Sequence, residues 1–290
     1  MSGLLRSEAA RGQENGHRVE SFTANRRMAA ASAGVGREAS IIHLVTEADI
    51  TETRRLIAQH RERTGESLSL TAYVVTCLAR TLSEFPRFNS FRKGSRLIVL
   101  DDATISVLFE REIAGESVPE PVGIQRANRK TYREVNDELR NVQKHAGERL
   151  GASSGTEWVR FIPEPFLQTF IRLASRSIRM AKRFGVVGVT AVGMFGSGPT
   201  WLVPLTSATV TVAVGSIAKR LVLIGGEACE REYLCLTVSF NHDIVDGAPA
   251  TRFVARLVEF LASGDELREL VASEPVHVEQ RHPAERQKVD

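Results

Sequence analysis

The apolar and polar positions of the chain fall into alternating strand-like and helix-like stretches. Residues Ser40 to Thr46 have the β-branched content of a strand. Asp49 follows as a helix cap with Glu52 three residues on, and this pattern predicts a charged helix to about Arg63. From Leu70 to Phe85 the apolar residues lie on all sides, as in a buried helix, and Pro86 ends it. Arg96 to Leu100 and Thr104 to Phe109 read as the two arms of a hairpin around Asp101 and Asp102. Thr131 with Glu134 forms a capping box that opens an exposed helix to about Arg149. Gly185 to Val192, Thr209 to Gly215, Leu221 to Ile224 and Tyr233 to Phe240 are dense in Val, Thr, Ile and Leu and read as strands of one central sheet. Pro249 fits the first turn of a last helix to about Leu261. Strands and helices alternate without strict βαβ units, which predicts one α/β domain with a mixed sheet.

The ends read differently. Residues 1–36 are rich in Arg, Ser, Ala, Gly and Glu with few large apolar side chains, so a flexible arm is expected, followed by a folded domain over 37–265. Residues 266–290 are expected to form a C-terminal tail.

Composition narrows the function classes. Of 290 residues, 42% are hydrophobic and 25% charged, which are globular values and exclude a collagen-like, coiled-coil or wholly disordered chain. The balance of 38 Lys+Arg against 35 Asp+Glu gives only +3, and no aromatic residues interleave with the basic ones, so nucleic acid is not an expected partner. The three cysteines, Cys77, Cys229 and Cys235, have no metal or disulfide spacing; no metal site is expected, and a reducing compartment suits them. The N-terminus has no apolar signal core, so a cytoplasmic location is expected.

One stretch breaks the even charge. At about 163–184, Phe166, Leu167, Phe170, Ile171, Ala174, Ile178 and Ala181 take one helical face and Gln168, Arg172, Ser175, Arg176, Arg179 and Lys182 the other. Such a basic amphipathic helix either packs on the domain with its cations in water or lies on an anionic membrane surface or acidic partner.

Candidate chemistry gathers at Ser239-Phe-Asn-His-Asp-Ile-Val-Asp-Gly-Ala-Pro-Ala-Thr-Arg-Phe253. His242 stands at the end of an apolar strand, where one ring nitrogen can face a cavity and take a proton from a thiol or hydroxyl. Asp246 can anchor the turn by pairing with an arginine, and Gly247 lets the backbone enter the helix.

This motif strongly resembles the His-x-x-x-Asp-Gly signature of the dihydrolipoamide acyltransferases of 2-oxo acid dehydrogenase complexes, which share a fold with chloramphenicol acetyltransferase. Further segments match in the family's order: Asp49-Ile-Thr51, Glu84-Phe-Pro-Arg-Phe-Asn-Ser90, Val189-Thr-Ala-Val-Gly-Met-Phe-Gly196 and Val212-Ala-Val-Gly-Ser-Ile217. The resemblance covers about Arg26 to Leu261 and implies a two-layer α/β sandwich with a mixed central sheet. It implies a coenzyme-A-dependent acyltransferase in which His242 is the general base, Asp246 supports it and the Thr190 hydroxyl stabilises the oxyanion. Gly247, Gly193 and Asn241 are the expected coenzyme A contacts. A homotrimer is implied, with active sites between subunits. No lipoyl domain is recognisable, so the resemblance implies a lipoyl or acyl carrier acting in trans and no covalent lipoyl group on this chain. The departures are Asn241 and Asp243 flanking His242, Ala191 after Thr190, an altered Ile113 to Ile124 segment, and the extra residues around 163–184. A carboxylate at Asp243 would disfavour a neutral imidazole if the two faced each other. These departures keep open a second reading, a catalytically weak trimeric scaffold that binds a partner or a membrane surface.

Overall fold

The structure is a computed structural model that describes residue 17 and residues 22–113, 116–144, 162–191 and 198–273. In chain order the elements are α1 (Ala24–Arg37), β1 (Ile41–Asp49), α2 (Thr51–Thr64), α3 (Leu70–Glu84), β2 (Ser90–Lys93), β3 (Arg96–Val99), β4 (Ile105–Ile113), β5 (Glu116–Ile124), α4 (Tyr132–Lys144), α5 (Glu164–Ser175), α6 (Ile178–Phe184), β6 (Val187–Ala191), β7 (Val210–Ile224), β8 (Glu227–Asn241), α7 (Gly247–Ser263) and α8 (Asp265–Ser273).

Six strands form one mixed sheet in the order β1-β8-β7-β6-β4-β5. The β1–β8, β7–β8 and β4–β5 pairs are antiparallel, and β6 runs parallel to both β4 and β7. Edge position lets β5 carry Pro119 and Pro121, which lack an N–H for a ladder. The mixed α/β sheet expected from the sequence is therefore present.

The main core lies between one face of this sheet and α2, α3, α4, α7 and α8. Val187 and Val189, Val210, Val212 and Val214, and Leu234, Leu236, Val238 and Phe240 all point into it. Helix α3 runs through its middle with most of its residues buried, as its all-round apolar pattern predicts.

Local signals explain most boundaries. The capping box forms: the Thr131 N–H donates to Glu134 Oε2 at 2.8 Å and the Glu134 N–H donates to Thr131 Oγ1 at 3.3 Å. Those donors hold the Glu134 carboxyl below the usual carboxylate range. Residues 145–149 of the expected helix lie outside the described residues. Asp49 acts one position earlier than a cap: it ends β1, and its carboxylate accepts from the Thr51 N–H and hydroxyl while Ile50 occupies the cap.

Several expectations are corrected. Arg96–Val99 pairs with Ser90–Lys93, not with the following strand. The turn is at Gly94, whose φ of 62° suits a tight hairpin, whereas the backbone around Asp101 and Asp102 is bound by Asn89 and Asn128 side chains. The expected strands Thr209–Gly215 and Leu221–Ile224 are one 15-residue strand, β7, irregular between Val214 and Ile217. Residues 24–36, expected in a flexible arm, lie in α1, which Thr23 caps through its hydroxyl and an alanine-rich sequence favours. Residues 266–273, expected in the tail, continue α8, whose Leu267 is buried in the core and whose Glu266 pairs with Arg80 at 2.7 Å. The single amphipathic helix is two helices that break at Arg176–Ser177.

Gly185 joins α6 to β6 with φ 80° and ψ 166°, a region open almost only to glycine. A Cβ there would sit 2.1 Å from the Thr104 carbonyl oxygen. Gly185→Ala is expected to destabilise the protein by on the order of 3 kcal/mol, measured by denaturant unfolding; a change within 0.5 kcal/mol, the usual spread for surface substitutions, would contradict this junction geometry.

Candidate active site

Buried neighbours hold the His242 turn in place. Phe240 comes two residues before it and Phe253 on α7 lies beyond it; both are fully buried. Phe88 stacks on Phe253 at 4.5 Å, and Phe240 meets both rings edge-on at 5.7 Å. Ile244 and Val245 are buried inside the turn itself. The backbone is equally constrained: the His242 N–H donates to the Ser40 carbonyl at 2.6 Å, and the Ile244 and Val245 N–H groups both donate to the Asn241 carbonyl at 3.0 Å. What remains free to point outward is the exposed set His242, Asp243 and Asp246.

The two carboxylates of the turn have different surroundings. Asp246 Oδ1 lies 3.9 Å from His242 Nδ1. The expected arginine partner of Asp246 is absent among the described residues, and with 84% side-chain exposure its carboxylate is largely in solvent. Asp243 is drawn the other way. Its carboxylate meets Arg92 Nη1 of β2 at 3.4 Å, and its N–H donates to Asn241 Oδ1 at 3.0 Å. Arg92 thus gives the extra acid a partner other than the imidazole. Asn241 builds the turn with its side chain. Nothing local to the sequence announces the Arg92 contact, because 151 positions separate the partners.

Gly247 is the first residue of α7 without a positive φ, and an added Cβ would meet nothing within 4 Å. The turn into the helix therefore does not require glycine, contrary to the reading from sequence; the space beside it is open. Gly193 lies outside the described residues.

Thr190 sits on β6, level with Ala213 of β7 and Thr237 of β8. Alternation puts it on the face away from the core, with Thr211, Thr237, Ser239 and His43, whose Nδ1 lies 2.8 Å from Ser239 Oγ. Among the described residues no hydrogen bond reaches the Thr190 hydroxyl. Ala191 packs against the main core, so its missing amide does not belong to the Thr190 face.

Within one chain His242 and Thr190 do not meet. His242 lies five residues beyond Thr237 and two strands away from Thr190, on the order of 20 Å at ~3.3 Å per residue and ~4.8 Å per strand. Thr190's row also carries Val45 and Leu108, which are 57% and 40% exposed.

The fold is a mixed six-stranded sheet whose strand β8 leads into the His-x-x-x-Asp-Gly turn. The family model for the 2-oxoacid dehydrogenases acyltransferase (catalytic domain) matches residues 14–154 and 183–268. The chain belongs to that family. The lipoamide acyltransferase component of the branched-chain alpha-keto acid dehydrogenase complex of Bacillus subtilis is 27% identical over 203 residues, which cover 70% of this chain and 41% of that protein. The dihydrolipoyllysine-residue acetyltransferase component of the Haemophilus influenzae pyruvate dehydrogenase complex is 25% identical over 235 residues, 78% of this chain and 35% of that one. This chain therefore spans about two-fifths of the length of these curated relatives. Among solved structures, the Azotobacter vinelandii dihydrolipoamide acetyltransferase, studied for a serine, a histidine and an asparagine in its catalytic mechanism, aligns with a TM-score of 0.67 at 20% identity, covering 87% of this chain and 95% of that one. A probable dihydrolipoamide acetyltransferase from Listeria monocytogenes aligns with a TM-score of 0.64 at 22% identity, covering 85% and 94%.

Proposed function

We propose that the protein is a coenzyme-A-dependent acyltransferase that moves an acyl group between an acyl-coenzyme A or acyl-dihydrolipoyl thioester and a thiol. His242 takes the proton of the attacking thiol, with Asp246 Oδ1 3.9 Å from its Nδ1. The thiolate adds to the thioester carbonyl, and the new oxyanion accepts a hydrogen bond from Thr190 Oγ1. Collapse breaks the carbon–sulfur bond of the donor, whose departing thiolate recovers the proton from His242.

The observation that carries this reading is the separation of the two groups. The Thr190 side chain, buried but with no hydrogen-bond partner among the described residues, stands on the sheet face away from the main core in a row with exposed Val45 and Leu108, and the histidine is on the order of 20 Å away in the same chain. A second copy laid on that face, as in a trimer with sites between subunits, supplies the missing histidine and covers the apolar side chains. Asn241 and Gly247 then border the coenzyme A path, Asn241 through its carbonyl side of the turn and Gly247 through the open space at its Cα. The scaffold reading draws on the carboxylate at Asp243, on Ala191 and on the extra basic helix, and the Arg92 contact bears on the first of these alone.

Thiol release from acetyl-coenzyme A, with dihydrolipoamide as acceptor, tests the proposal. His242→Ala is expected to lower kcat by about 10²–10⁴ and Thr190→Val by about 10²–10³, with the melting temperature kept. Wild-type turnover in both variants would overturn the mechanism, and no turnover by the wild type with any acyl-coenzyme A would favour the scaffold. Gly247→Ala is expected to leave stability within a few tenths of a kcal/mol and to raise KM for coenzyme A; equal KM values would remove Gly247 from the path.

A further inference from the structure

The insert that interrupts the family match has its own surface chemistry. The family model stops at residue 154 and resumes at 183. Helices α5 and most of α6 therefore add to the common core, and what they present belongs to this chain.

One apolar edge of α5 is already used. Leu167 is buried against Ala31 of α1, with Met28, Phe170 and Ile171 packed around them. Gln168 closes over Gly34, and Arg172 pairs with Glu38. This is the packed helix that the sequence left as one alternative. A second edge is not covered. Phe166 and Leu173, seven residues apart and so on one side of the helix, are 65% and 64% exposed. Arg176 continues that stripe. On α6, Ile178 is exposed and shares a side with Lys182, and Arg179 flanks it. Among the described residues no carboxylate pairs with Arg176, Arg179 or Lys182. The exposed surface of α5 and α6 thus carries Phe166, Leu173 and Ile178 beside Arg176, Arg179 and Lys182.

We propose that this exposed side of α5 and α6 docks the protein on an anionic membrane surface. A membrane interface accepts single apolar side chains at the acyl boundary while lysine and arginine meet the headgroups. Charge complementarity selects the anionic lipid. No helix among the described residues is long and apolar enough to cross a membrane, so the contact is one of lying on the surface. The proposal is independent of acyl transfer, since none of these residues belongs to the proposed site.

The test is co-sedimentation of the full chain with vesicles of phosphatidylcholine alone and with added phosphatidylglycerol, at low and high salt. Binding is expected only to the anionic vesicles, and at least tenfold weaker at high salt. The triple variant Arg176→Glu, Arg179→Glu, Lys182→Glu is expected to lose at least tenfold in affinity, and Phe166→Ala with Leu173→Ala to weaken binding while leaving its salt dependence. Thermal melts and light-scattering mass confirm that each variant is folded. Equal binding to neutral vesicles, equal binding by the triple variant, or no binding by the wild type would overturn the proposal. So would a smaller assembly in the Phe166/Leu173 variant, which assigns this side of α5 and α6 to a second copy. Binding of polyglutamate but not of vesicles would overturn it in favour of an acidic polypeptide.

Discussion

Side chains alternate across a strand, and the core claims one of the two faces along β6, β7 and β8. Val187 and Val189 enter the core with Val210, Val212 and Val214 and with Leu234, Leu236, Val238 and Phe240 of β8, so Thr190 is turned to the far side by the same register. A slip of one residue would bury the hydroxyl among valines and expose the valines. The aromatic cluster of Phe88, Phe240 and Phe253 fixes the other half of the arrangement, because it pins the end of β8 and leaves His242 projecting from its turn. The histidine and the hydroxyl are thus each held by the packing around them, on the order of 20 Å apart in one chain.

The parts of this arrangement that are local in sequence were legible there. The buried helix α3, the Thr131–Glu134 box and the His242 turn each depend on neighbours within a few residues, and each forms as its pattern predicts. Family resemblance supplied the pairing of His242 with Thr190, which no spacing could suggest. The misses are non-local or weakly coded. Strand partners of Arg96–Val99 could not be told from apolar content, since both neighbours are strand-like and only the Gly94 turn decides. Helix α1 is small-residued, and its stability comes from alanine propensity, a cap and contact with α5 rather than from large apolar side chains. Arg92 was invisible as a neighbour of Asp243, because ion pairs across 151 positions leave no local trace.

That ion pair also bears on how a departure from the family motif is tolerated. An acid next to His242 would oppose the proposed role as a base; here Asn241 bonds the Asp243 N–H and Arg92 meets its carboxylate, so the acid has partners of its own. Exposed pairs of this kind contribute little to folding, roughly 0–1 kcal/mol. The α5–α6 insert is a different kind of departure. It uses one edge to join α1 and leaves the other outside, adding a surface without disturbing the sheet that carries the chemistry.

The central claim is that the histidine and the hydroxyl of one site come from different chains. It is tested most directly by unfolding His242→Ala and Thr190→Val chains together, refolding them and assaying acyl transfer by the mixture. Each parent is expected to be nearly inactive. Random assortment gives one histidine-intact and one threonine-intact chain at about a quarter of the interfaces, so about a quarter of wild-type activity is expected to return. A mixture that forms mixed assemblies by light scattering, yet stays at the level of its parents, would contradict the account.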